Sequence, residues 1–230
     1  MSPFWRARRR IITPTLPVRL IDFATNLVYV ATYMVIIPIL VAIYFYRFQS
    51  KALKILLGGL VIVLFLDVLL LFFNAKNTFL YIFSAVDALS MALIFSVAIT
   101  NERVSTVSWK AGVLFVLLIG FDAFFWSGIT TNGYSNALEK VFVLGLTLYY
   151  LTQLLQDEEV VTLAEQPLFW VCVGVLMYNL VGLFDIFSKP MLSFSRNLYL
   201  QFYVIWSFVT ICMYGCFAFA FWQSKHNTEV

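Results

Sequence analysis

A chain of 230 residues that is 62% hydrophobic and only 12% charged is too apolar for an ordinary soluble domain. Its net charge of +3, with no basic patch interleaved with aromatics, excludes nucleic acid as a partner. The 24 Phe and 12 Tyr suit lipid-facing surfaces and interface belts, so the lipid bilayer is the first partner expected.

The first 20 residues hold Arg6, Arg8, Arg9, Arg10 and Arg19, while Pro14 and Pro17 prevent a continuous helix. The charge pattern could pass for a signal-peptide n-region, but the apolar run that follows is too long and lacks a small-residue cleavage site. Residues 1–20 are read as a basic leader lying on the lipid headgroups. Seven apolar segments follow, at 21–46, 53–73, 79–100, 109–129, 135–155, 167–188 and 198–222. Each approaches or exceeds the roughly 20 residues a helix needs to cross the hydrocarbon layer. The expected fold is all-α: a polytopic integral membrane protein with a bundle of seven transmembrane helices over 21–222, then a short polar tail at 223–230. Pro38 predicts a kink in the first helix. Gly58-Gly59 predicts a close helix approach in the second, and Pro167 suits the first turn of the sixth. Short linkers, among them Asn74 to Thr78 and Asn101 to Ser108, favour antiparallel neighbours. Cys172, Cys212 and Cys216 lie in apolar runs and read as small core residues.

Seven helices place the termini on opposite faces, here face A for the N-terminus and face B for the C-terminus. Arg and Lys point to face A as cytoplasmic when the leader is counted, and to face B when it is not. The second, fourth and sixth helices all run towards face A and carry similar endings, Leu66-Asp67, Phe121-Asp122 and Phe184-Asp185. Asp87 enters from face A on the third helix, and Glu139 with Lys140 on the fifth. At 1.5 Å per residue, Asp67, Asp87 and Asp122 lie about 10 Å inside that face. An ionised carboxylate at the centre of a membrane helix costs roughly 2.5–3.5 kcal/mol on insertion scales. Five helices delivering ionisable groups to one half of the bilayer therefore point to a polar cavity opening on face A. The other reading pairs Lys140 with one Asp and leaves the remaining acids neutral or at the headgroups. Asn179 joins the candidates because an amide in lipid must find a partner. The ligand-binding set is Asp67, Asp87, Asp122, Glu139, Lys140, Asn179 and Asp185. The recurring apolar-Asp ending also hints at a two-helix repeat of the kind found in transporters.

The only histidine, His226, lies in the tail, which removes His-based zinc hydrolases and Ser-His-Asp catalysis within the bundle. The last helix contains no lysine for a retinal Schiff base, and no glycine-rich phosphate loop is present. The sequence assigns no catalytic residue, metal ligand or cofactor, although an all-carboxylate site would suit Mg²⁺ or Ca²⁺. The run Asp157-Glu158-Glu159 with Glu165 reads as a solvated loop or as a docking surface for a cytoplasmic partner.

At Gln166-Pro167-Leu168-Phe169-Trp170, followed by Gly174 and Tyr178, the chain resembles bacterial seven-helix membrane proteins similar to the sensor modules found beside or fused to histidine kinases. The resemblance implies a receptor-like module in a bacterial inner membrane, its C-terminus cytoplasmic and its output passed to a separate signalling partner. A fainter resemblance, from Asp67 to Phe95, is to lysoplasmalogenase-type membrane hydrolases, from which the chain departs in having Leu66 before Asp67 and seven helices. The expected function is a membrane sensor that binds a small ligand or ion in the acidic cavity. An intramembrane lipid hydrolase using paired carboxylates and a small-solute or ion transporter are the alternatives, and a second copy of the chain is a further candidate partner.

Overall fold

The computed structural model describes residues 18–72, 76–126, 134–156, 162–192 and 196–225. Among these residues all regular structure is helical: α1 Val18–Tyr33, α2 Ile36–Tyr44, α3 Lys51–Phe72, α4 Lys76–Ala98, α5 Glu102–Phe121, α6 Tyr134–Gln156, α7 Pro167–Leu192 and α8 Arg196–Gln223. With α1 and α2 taken together, they give seven helices long and apolar enough to cross a membrane. The leader up to residue 17, the acidic run 157–161 and His226 lie outside the described residues. Residues 18–20, expected in the leader, already belong to α1.

The first span breaks where backbone hydrogen bonding fails. Pro38 has no N–H to offer the Met34 carbonyl one turn back. That carbonyl instead accepts from Ile37 at 3.1 Å, and α1 ends five residues before the proline. The fourth span also differs from expectation. Residues 102–108 form the first two turns of α5 rather than a linker. Asn101 caps them, its Oδ1 accepting from the Arg103 and Val104 amides at 3.1 and 3.4 Å, and Glu102 places an acid at the positive end of the helix. Asn101→Ala should cost about 1 kcal/mol of stability, while Asn101→Asp should hold it; thermal unfolding of the purified variants checks this.

Packing arranges the helices as a ring with one outlier. α8 lies against α7 on one side and against α1 and α2 on the other; α2 meets α3, α3 meets α4, α4 meets α6, and α6 meets α7. α5 packs chiefly on the outer side of α4 and only lightly on α6. It carries exposed Leu114, Leu117 and Leu118, and the turn that follows it adds exposed Phe124 and Phe125.

Alternation of helix direction puts the start of α1 at one end, end A, and the end of α8 at the other, end B. The main apolar core sits towards end B. It draws on Val35 at the α1–α2 break, Ala42 of α2, Leu53 and Leu56 of α3, Ile94 and Phe95 of α4, Val143 and Leu154 of α6, Val171 of α7, and Phe217 and Phe221 of α8. Close backbone approach tightens this ring. A Cβ on Gly59 would lie 2.9 Å from Ser90 Oγ, whereas Gly58 has nothing within 4 Å, so the expected approach at the glycine pair is made by its second member alone.

Candidate functional site

Above the apolar core the six ring spans enclose a cavity of about 760 Å³. Each helix presents one stripe to it at the helical period. The stripes are Leu56, Leu60, Val63 and Asp67 on α3; Ser84, Asp87 and Met91 on α4; Asn136, Glu139 and Lys140 on α6; Val175, Tyr178 and Asn179 on α7; and Tyr203, Trp206, Ser207, Thr210 and Tyr214 on α8. Val28, Ala31 and Thr32 of α1 complete the wall, and Met91, Val175, Met213 and Phe217 belong to both its floor and the core below.

The structure brings Asp67, Asp87, Glu139, Lys140, Asn179 and Asp185 onto this wall. Asp122 lies elsewhere. Helix position alone aimed it at the same interior, but α5 stands outside the ring and contributes nothing to the lining. Asp122 instead opens a π-helical turn, Asp122–Trp126, and is buried beside the small cluster of Tyr81, Ile119 and Ala123.

Lys140 is the electrostatic centre. Adjacent residues on a helix do not normally face each other, yet its long stem folds back so that Nζ lies 3.1 and 3.3 Å from the two carboxylate oxygens of Glu139. Asp87 Oδ2 is 4.0 Å from the same nitrogen, and the Tyr178 ring centroid is 5.2 Å away. Glu139 has no solvent exposure at all. Charge pairing is what allows these groups to lie inside the bundle, because a lone buried ion would be costly. Gly182 supplies the room: a Cβ there would come within 2.9 Å of both Lys140 Cδ and Cε. Gly182→Val should therefore push the ammonium off Glu139 and cost about 1–3 kcal/mol, seen as a lower melting temperature. A variant that melts with the parent would show that Lys140 does not need the gap.

Asn179 is 2% exposed, and its Nδ2 donates to the Val175 carbonyl at 2.8 Å. Its Oδ1 accepts from no group among the described residues. Asp67, partly exposed to the cavity, has neither an ion pair nor a hydrogen bond among the described residues. Ser207 and Thr210, by contrast, donate to carbonyls one turn back on their own helix, at 2.8 and 2.9 Å. An aromatic wall completes the site, with Tyr178 against Trp206 at 5.1 Å between centroids and Phe202 beyond at 6.1 Å from Trp206.

Sequence reasoning left Tyr178, Tyr214, Trp206, Ser84 and Gly182 out of the site. A signal for Ser84 existed, since with Asp87 and Met91 it makes a helical stripe. Gly182 lies two residues before the Phe184-Asp185 ending, and nothing in its own helix marks it as clearance for a lysine stem.

No protein-family model, curated protein or solved structure matches the chain. Fold and cavity nevertheless define a class: a helical bundle of membrane-spanning proportions, with an acid-rich cavity at one end and an apolar floor at the other.

Proposed function

We propose that this chain is a multi-pass membrane protein of sensor or receptor type that binds a small polar or ionic ligand in the cavity between its helices. The observation that carries this reading is the one-sided cavity. Its volume falls in the range of small-molecule sites, about 300–1,000 Å³, and a few polar groups converge within apolar walls. Conduction needs a polar path from end to end, whereas the end B half of this bundle is packed with buried aliphatic and aromatic side chains. That packing favours a binding site over an open pore.

The ring order supports a way to signal. α3 and α7 stand across the cavity from each other, with two helices between them on either side. A ligand bridging Asp67 on α3 and Asn179 on α7 draws opposite walls together. α8, wedged between α7 and the broken α1–α2 span, then shifts against its neighbours, and a separate partner reads that shift. Binding changes the conformational balance only by its differential affinity for the two packings.

The test is ligand-dependent thermal stabilisation of the purified protein in lipid nanodiscs across a panel of small polar and ionic compounds. Asp67→Asn should remove the stabilisation, and Asp122→Asn, outside the ring, should retain it. Equal shifts for the parent and both variants would sink the assignment. Solute flux in proteoliposomes that depends on Asp67 would make the protein a carrier, and turnover of a lipid that depends on Asp67 would make it a hydrolase.

A further inference from the structure

We infer that the ligand is an organic ammonium ion that still carries N–H groups, a protonated primary or secondary amine on an apolar or aromatic body. The inference rests on the ligand-binding reading above and names the chemistry of that same site.

Charge balance comes first. Among the described residues, the carboxyl groups of Asp67, Asp87 and Glu139 line the cavity against the ammonium of Lys140, and Asp185 stands on the same wall with an interaction of its own. Lys140 is already held by Glu139 and Asp87. An anionic ligand would meet a surplus of acids and a cation committed elsewhere. A cationic ligand meets the opposite situation, with Asp67 exposed to the cavity and joined to no other described residue by an ion pair or hydrogen bond.

The second observation is Asn179. A buried amide oxygen that accepts nothing from the protein costs about 1–3 kcal/mol of desolvation, and this one belongs to a residue on the cavity wall that is 2% exposed. An acceptor needs a donor. An ammonium with N–H groups has donors to offer the Asp67 carboxylate and, where the wall yields to it, the enclosed Asn179 oxygen, whereas a quaternary ammonium has none to give.

The rest of the wall argues for an organic body on that ion. A bare metal cation would make no use of aromatic and aliphatic surface, and no three of the described Asp, Glu, His or Cys side chains converge on one point. Rings from α7 and α8 offer faces to a cation and flat surface to a hydrocarbon body. The protein already displays the arrangement in miniature: the Lys140 ammonium sits over the Tyr178 ring, flanked by carboxylates.

Four compounds sharing one phenylalkyl body test the inference by calorimetry and thermal shift on the full chain in nanodiscs at neutral pH: phenethylammonium, phenethyltrimethylammonium, 2-phenylethanol and 3-phenylpropionate. Phenethylammonium should bind and raise the melting temperature, the trimethyl analogue more weakly, and the alcohol and carboxylate not measurably. Asp67→Asn should weaken phenethylammonium about tenfold to a hundredfold, the range of a hydrogen bond to a charged group. Asn179→Leu should weaken phenethylammonium and leave the trimethyl analogue unchanged, which keeps the inference testable even where Asp67→Asn folds poorly. Binding of the alcohol or the carboxylate as tight as that of the amine overturns the amine assignment and leaves the ligand-binding reading standing. Loss of all binding by every charge type, together with identical melting of parent and Asp67→Asn across the wider panel, overturns both.

Discussion

Lys140→Met should lower the unfolding free energy of the protein by about 3–5 kcal/mol, the cost of leaving a buried charge without its partner. Glu139 is fully buried, and Lys140 Nζ reaches both of its carboxylate oxygens. Without the ammonium, the acid that shares it with Glu139, Asp87, is left beside the same gap. Methionine keeps most of the lysine stem, so packing against Gly182 and Tyr178 is largely preserved and the loss is electrostatic. Glu139→Gln should cost less, because Lys140 then retains Asp87 at 4.0 Å. The double variant, Glu139→Gln with Lys140→Met, should recover most of the loss, since replacing a buried ion pair by neutral groups of similar volume is often close to neutral. Thermal unfolding of the four proteins in nanodiscs closes the cycle. Strictly additive losses would mean that the two side chains do not hold each other.

The helices were legible because apolar runs this long have few other physical outcomes. Six of the seven expected segments correspond to described helices whose ends differ by a few residues. The fourth began seven residues too late, because Glu102, Arg103, Ser105 and Ser108 look like a linker when hydropathy alone is read. The cap at Asn101 was the available sign, an Asx residue directly before an acid. For the site, depth along each helix was legible and position around the ring was not. Asp67, Asp122 and Asp185 end similar sequences, with Asp185 expected to be the shallowest, yet it is the first and third that line the cavity. Which helix stands outside a bundle depends on the pairing of faces between helices distant in sequence, and no single-helix pattern encodes that. Glu139 and Lys140 were legible as neighbours, but not the fold-back of the Lys140 stem, which depends on Gly182 a helix away.

The position of α5 leads to the second large effect. Gly112 faces α4 so closely that a Cβ there would run into the Cβ of Ala92, with the Ala88 carbonyl 3.8 Å away. Ala88 and Ala92 are both fully buried, and neither contact atom can rotate aside, since a Cβ moves only with its backbone. A larger side chain must therefore push the two helices apart, loosening the stack of Phe115 on Phe142, 4.4 Å between centroids, that ties α5 to α6. Gly112→Leu should cost about 3 kcal/mol, at the upper end for overpacking because no flexible neighbour can give way. Gly112→Ala should cost less, and Ala92→Gly in the same chain should restore much of that loss by returning the missing volume. None of these changes touches the cavity, so the folded fraction of Gly112→Leu should bind phenethylammonium as the parent does. Unchanged melting for Gly112→Leu would refute the close α4–α5 contact. Lost amine binding in a Gly112→Leu protein that remains folded would place α5, and with it Asp122, in the ring after all.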